Sequence, residues 1–563
     1  MSTPVSRGQI GDWGGYVTWV QTSARSGANR LWTCDDSGSR AVTAEGVALS
    51  SSLYGYGGTT WCVLDDDHVV TLHEREGVLR VIARDGNETF CWPLPSGSVG
   101  CPVAIGHEVL FIRDGNEPGE RQLCRMHLDS GHTDVLYRTR DFMSRVARSA
   151  DRLAWVQWSP RSVPWEESTL MTAHLSEGVT IEKTLSASGV SWGPPVVHRG
   201  SFAATRESGE WGELVLDIDE PQVGRPVLPG GSALSLVSWF GTSRLIASDG
   251  VHVAVVSAKD SRRHVSHVRD DVVDEVVGAM TSIEDVALVG SRVVVAGRRP
   301  QHSDRIEVHD TTWQVIATDE EERDDSLTAQ WRVSESSVPY VWWESDDPAT
   351  IIVEMHGGPT GEAGLRWSAS TSRWHSRGYA VASIDYRGST SYGRRYRRAL
   401  YGGWAQRDAD DVVSVIAELA TRYPTSRIVV AGNSAGGLTA LRVAARTPVW
   451  GAMVHYPVTD AATIIQMSHE FEAGYNEMLF GTTEARQLQD RRVDVERLPR
   501  LLVTHGVNDS VVPIAGTRAF VSEARAAHVD VRYLELENEG HGYRAAQSVA
   551  RVADAERQFL LDQ

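Results

Sequence analysis

A chain of 563 residues, 41% of them apolar, is too long for one ordinary hydrophobic core, so two or more domains are expected. Its 74 acidic against 55 basic side chains give a net charge of -19, which repels nucleic acid and anionic membrane surfaces and favours solubility. The sequence opens with no apolar run behind a basic start, and no stretch approaches the length of a membrane span, so a cytoplasmic protein with neither nucleic-acid nor membrane partners is expected.

In chain order, the first 320 residues read as strands. Apolar alternation of period two recurs at 16–21, 68–73, 108–113 and 153–158, each run closed by Gly, Asp or Asn turns. Further runs begin near Ser201, Arg244 and Arg292. A recurrence of about 40 to 50 residues is the period of four-stranded propeller blades, and six or seven blades fit the length. Because the repeats are irregular, an all-β sandwich or barrel is the alternative. Arg113, Asp114 and Asn116 read as solvated loop residues. Cys34, Cys62, Cys91, Cys101 and Cys124 are odd in number and form no CxxC pair, which predicts buried free thiols rather than disulfides or a metal framework.

The acidic run DEEERDD at 319–325 reads as a solvated linker, so the expected domains are 1–320 and 321–563. After it, short β-branched runs at 350–355, 380–384, 427–431, 452–456, 501–504 and 531–536 suit strands of a parallel sheet buried on both faces. Amphipathic helices are expected at 408–423, 437–446, 513–527 with Pro513 in the first turn, and 544–560. The predicted fold class is thus a β-propeller plus an α/β-hydrolase domain.

The strand at 427–431 runs into Gly432-Asn433-Ser434-Ala435-Gly436-Gly437 and then a helix, the context a nucleophile elbow needs. The GxSxG pattern alone is weak; its setting gives it weight. A serine hydroxyl needs a base, so an acid and a histidine should follow in the order Ser, Asp, His, each at a strand end. Asp509 lies in the loop after 501–504, and His541, flanked by Gly540 and Gly542, follows 531–536. Alone, Asp509 could cap the helix at 513 and His541 could be a loop histidine. Together, with order and glycine flanks, they predict a Ser434, Asp509, His541 triad. Oxyanion donors are expected from the N–H of Ala435 and from Gly358, in the glycine-rich loop His356-Gly357-Gly358-Pro359 after the strand at 350–355.

These motifs, with DYRGSTSYG at 385–393, Trp404 and the acidic residues of 408–411, HGVNDSVVP at 505–513 and GHG at 540–542, closely resemble the prolyl oligopeptidase family, most of all its acylaminoacyl-peptidase and dipeptidyl-peptidase-like bacterial branch. The resemblance spans the whole second half and is thinner in the first, where Tyr56-Gly57-Gly58 and the segment 153–170 carry it. It implies a peptidase whose propeller admits only short peptides. Related peptidases often hold a substrate carbonyl with an arginine two residues after the catalytic aspartate; here that position is Val511. Asn433 and Ala435 also stand where Gly and Tyr are common.

The segment 468–475 lies where substrate-facing insertions are common, and Glu470 or Glu472 is a candidate to bind a free substrate amine, against the alternative of solvated helix charges. His469-Glu470 is no zinc motif, since a second histidine would be needed at Ala473. The expected function is a serine peptidase for short peptides that works through an acyl-enzyme without metal or cofactor. The alternative is an esterase, amidase or acyl-transfer enzyme acting on a small metabolite. Oligomeric state is left open, a homo-oligomer included.

Overall fold

The computed structural model describes every residue except 1–5, 24–26, 116, 221–223, 227–232, 235–243, 271, 319–323, 462–463, 466–469, 483, 485–487, 489–490 and 563. Asn116, Ser468, His469 and the 320/321 boundary therefore lie outside the described residues. Seven antiparallel sheets draw their strands from the described residues within 7–41, 61–93, 99–139, 142–185, 191–226, 233–276 and 282–317, so the propeller has seven blades. Period-two alternation is clear only on some strands, because blades stack face to face. Strand Glu108–Asp114 is buried on both faces through its middle, so Arg113, which is buried, and Asp114 are strand residues and not the solvated loop expected, whereas the outer strand Glu88–Pro93 is largely exposed. That outer strand carries Cys91, so the expectation of buried thiols fails there: Cys101 and Cys124 are buried, Cys34 and Cys62 half-buried and Cys91 exposed, all of them free.

First and last blades meet without sharing a strand. Ile10, Val17 and Trp19 pack against Ala287, Val289 and Val294. Buried Asp285 adds polar stitches, its two oxygens accepting from the Ile10 N–H at 2.9 Å and the Arg244 N–H at 3.0 Å. Burial pushes the Asp285 carboxyl up to about 6.

The second domain is one sheet of eight strands: β1 (Ala329–Val333), β2 (Pro339–Trp343), β3 (Thr350–Met355), β4 (Ala380–Ile384), β5 (Arg427–Asn433), β6 (Gly451–His455), β7 (Arg500–Gly506) and β8 (Val531–Leu536). Their spatial order is β1-β2-β4-β3-β5-β6-β7-β8, with β3 to β8 parallel and β2 antiparallel to both neighbours. Between them lie helices α1 (Ala369–His375), α2 (Arg394–Arg398), α3 (Arg407–Arg422), α4 (Ala435–Ala444), α5 (Glu470–Phe480), α6 (Ile514–Ala526) and α7 (Ala546–Leu561). Side chains alternate across the strands. Ile351, Val353 and Met355 face α3, α4 and α6, while Ile352 joins Trp374 and Phe559 under α1 and α7. Pro513 stands just before α6, at its cap with extended backbone, rather than within the first turn.

Propeller and sheet dock through buried charge. Arg397 of α2 donates to Glu166 at 3.0 Å and to Glu207 at 2.5 Å, and Tyr401 donates to Glu166 at 2.7 Å. On another side, Ser261 donates to Asp385 at 2.6 Å, Arg263 to Glu362 at 2.7 Å, and the Trp367 N–H to the Arg299 carbonyl at 2.9 Å. The loop after β3 is thereby braced by two blades.

Candidate active site

Ser434 sits between β5 and α4 with φ 53° and ψ −123°, a strained conformation for a non-glycine residue. The turn is that tight because the chain folds back on itself. A Cβ on Gly432 would meet the Gly436 carbonyl, and one on Gly436 the Met355 and His356 carbonyls. The Ser434 N–H donates to the His455 carbonyl at 3.0 Å, fixing the turn on β6. Ala435 begins α4, so its N–H has no intrahelical acceptor and lies at the positive end of the helix.

Three side chains line up at the carboxyl end of the sheet. Ser434 Oγ lies 2.9 Å from His541 Nε2, and His541 Nδ1 lies 2.8 Å from Asp509 Oδ2. An ionised carboxylate only accepts, so the proton rests on Nδ1 and leaves Nε2 free to accept from the serine. The other Asp509 oxygen accepts from the Val511 and Val512 N–H groups, each at 2.9 Å. Asp509 thus anchors the turn before α6 with one oxygen and meets His541 with the other; it does not cap that helix, whose cap position is Pro513 with no side-chain cap bond. Burial pushes this carboxyl up, but hydrogen bonds from His505 and His541, the pull of His541 whenever it is protonated and the Val512 N–H outweigh it and hold it well below the usual carboxylate range.

The loop after β3 is organised by His356. Its Nδ1 lies 3.2 Å from the carbonyls of both Gly357 and Gly358, Nε2 is 2.8 Å from Ser389 Oγ, and the ring stacks on Tyr386. Burial pushes its pKa down to about 4, so it is a neutral ring holding a loop. Gly358 has φ +67°, which favours glycine there.

A cavity of about 390 Å³ opens at Ser434, Ala435, Gly358 and His541. The second domain supplies Val458, Phe471, Tyr475 and Val511; the propeller supplies Tyr56, Trp165 and Glu207. Propeller and catalytic half therefore build one pocket. Glu472 faces this cavity and accepts from the Tyr56 hydroxyl, and Val511 lines it as an apolar wall. Glu470 is absent from that wall: it accepts from Arg121 at 2.8 Å in an ion pair with the propeller. Among the described residues, no group of three or more His, Cys, Asp or Glu is arranged to hold a metal ion, and no helix is long and apolar enough to cross a membrane.

Sequence reasoning passed over two residues. His505 lies 3.4 Å from Asp509 Oδ2 and is oriented by the Val512 carbonyl at 2.9 Å and Thr517 Oγ1 at 2.9 Å. Its signal was the histidine four residues before the aspartate. Tyr456, directly after β6, stacks edge-on against His541 at 4.8 Å, and its hydroxyl accepts from Asn433 Nδ2 at 3.0 Å. Nothing local marks that role.

Residues 365–563 match the prolyl oligopeptidase family. The chain is 27% identical over 220 residues to dipeptidyl aminopeptidase BIII of Pseudoxanthomonas mexicana, covering 36% of this chain and 31% of that protein. It is 26% identical over 275 residues to acylamino-acid-releasing enzyme 1 of Oryza sativa subsp. japonica, covering 42% and 34%. The matched stretch thus spans about a third of these relatives' length. A crystal structure of puromycin hydrolase superposes with a TM-score of 0.88 at 23% identity, covering 98% of this chain and 93% of that one, and so shares the two-domain fold.

Proposed function

For a chain that carries a prolyl oligopeptidase family domain behind a seven-bladed propeller, we propose a serine peptidase that hydrolyses short peptides. His541, oriented by Asp509, takes the proton of Ser434 as Oγ attacks the scissile carbonyl. The tetrahedral oxyanion is held by the N–H groups of Ala435 and Gly358. His541 then gives its proton to the leaving nitrogen, and water, deprotonated by the same histidine, releases the acyl group. The observation that carries this reading is the hydrogen-bonded line Ser434, His541, Asp509 at 2.9 and 2.8 Å, opening on a cavity walled by the propeller.

Size and lining narrow the substrate. A cavity of about 390 Å³ with Trp165, Phe471 and Tyr475 in its wall suits one large apolar side chain on the acyl residue. Glu472 at its edge suits a free substrate amine, whereas Glu470 is neutralised by Arg121. The preferred substrates are thus short peptides with a free N-terminus and an apolar residue before the cleaved bond. Matched anilides test this: free-amine aminoacyl and dipeptidyl forms, their N-acetylated counterparts and simple acyl esters, each with wild type and Ser434→Ala. Ser434-dependent cleavage fastest on free-amine apolar anilides is expected. Cleavage of esters alone would move the assignment to a small-metabolite hydrolase.

A further inference from the structure

The apolar cavity accounts for one side of Ser434. A second cavity, of about 630 Å³, also reaches Ser434, Gly357, Gly358 and His541. Its wall is polar where the first is apolar, with Glu284, Arg298, Asp304, Glu354 and Arg366 around it. Most of these charges are matched. Arg298 donates to Asp304 at 2.5 Å, and Arg366 lies 3.9 Å from Glu284.

Glu354 is the exception. On β3 it follows Ile352 on the face under α1 and α7, where an apolar residue would continue the core. It accepts from Ser383 Oγ at 2.9 Å, and among the described residues no lysine, arginine or histidine lies within ion-pair distance of it. It also lines an adjoining cavity of about 320 Å³, together with Asn433, His455 and Tyr456, and so stands in a wall common to both. A half-buried carboxylate with no ion-pair partner is costly to keep, and the charges of Arg366 and His455 act on it only from beyond ion-pair distance. Burial, helped by the Glu556 charge, pushes its pKa up against the Ser383 hydrogen bond and the charges of Arg366 and His455. Two more polar atoms of the larger cavity's wall have no hydrogen-bond partner: Trp367 Nε1, on a side chain 7% exposed, and Ser303 Oγ, on one 3% exposed. The site is thus incompletely satisfied in its acid and in its neutral polar groups, as a site built around a polar, cationic occupant would be.

A substrate cleaved at Ser434 extends from the scissile carbon in two directions, and two lobes meet there. The apolar lobe takes the acyl residue, leaving the polar lobe for the departing one. We propose that Glu354 binds a cationic side chain, lysine or arginine, on the residue that follows the cleaved bond. The Trp367 indole N–H is then available to that residue's backbone carbonyl. This inference rests on the peptidase reading above and adds a preference on the leaving side.

The test uses phenylalanyl dipeptide amides whose second residue is lysine, norleucine or glutamate, with phenylalanine p-nitroanilide as the leaving group that carries no charge. In wild type, kcat/KM for lysine should exceed that for norleucine about tenfold, with glutamate lowest. In Glu354→Gln the lysine-to-norleucine ratio should fall close to one. If that variant does not fold, the wild-type ratio takes its place: it should fall towards one as the pH is lowered and the carboxylate is neutralised. A wild-type ratio near one, a preference for glutamate, a ratio that survives Glu354→Gln, or one flat with pH would each overturn the proposal. Ser434-dependent cleavage of the anilide shows in those cases that the peptidase reading itself stands. Loss of Ser434 dependence on every substrate would sink both.

Discussion

One pocket is built by two regions in different ways. The catalytic half delivers Ser434, Asp509, His541 and Gly358 from loops that leave the carboxyl ends of neighbouring parallel strands, so the sheet's register fixes their spacing. The propeller delivers Tyr56, Trp165 and Glu207 from three different parts of its ring, and their positions depend on how blades stack and how the ring docks. On the proposed reading, the difference teaches that the reaction would rest on local backbone geometry, whereas substrate choice would rest on the assembly of domains. Changes in the first region should therefore abolish turnover, and changes in the second should alter stability or selectivity.

The largest effect is expected at the triad. Asp509→Asn removes the anion that holds the His541 tautomer and should lower kcat by about 10⁴-fold, with secondary structure retained by circular dichroism. Ser434→Ala should lower it at least as far. A loss under tenfold at either position would break the assignment of chemistry to this region.

Next comes the docking charge. Arg397→Met leaves Glu166 and Glu207 buried beside fewer cations, and removing one partner of such a cluster costs about 3–5 kcal/mol. Denaturant unfolding should show a lowered midpoint for the propeller-hydrolase unit. An unchanged midpoint would mean that the ring is held by its apolar contacts and that the buried charges contribute little.

Selectivity is the third axis. Glu472→Gln should reduce kcat/KM for free-amine anilides by about tenfold and leave their N-acetylated counterparts within about twofold. Equal losses on both would take the amine site away from this carboxylate.

The smallest effect concerns pH and the interface at Asp385. Burial pushes this carboxyl up to about 6, against hydrogen bonds from Ala363, Ser261 and Tyr392. A folded-state pKa raised above the unfolded value of 3.8 means that the folded protein binds the extra proton, so this group's contribution to stability falls as pH rises from about 4 to about 6 and is flat above. The melting temperature of wild type relative to Asp385→Asn should decline across that window. A pH-independent difference would show that the group keeps its charge state on folding.

Much of the second domain was legible because parallel strands buried on both faces leave continuous β-branched runs: β3, β4 and β8 occupy the residues expected of them. The lead-in strands went unread: β1 is mixed and largely exposed, whereas β2, the buried apolar run PYVWW, did leave a signal that was overlooked. In the propeller, strands such as His68–His73 were visible, but blade number needed the ring. Cys91 was misjudged because thiol burial depends on whether a strand is inner or outer in its blade.

By itself the sequence determined what is encoded within a few residues: the elbow glycines where a Cβ has no room, the Asp509 and His541 loops at strand ends, and the glycine loop at 357–358. Tertiary structure alone decided that Glu470 is spent on Arg121 while Glu472 faces the pocket, that Tyr456 packs on His541, and that Glu354, without an ion-pair partner, lines a cavity that reaches the nucleophile. The reason is physical. Backbone strain and strand burial are local and leave a residue pattern, whereas the partner of a charge is set by side chains up to hundreds of positions away, brought near only once the domains have packed.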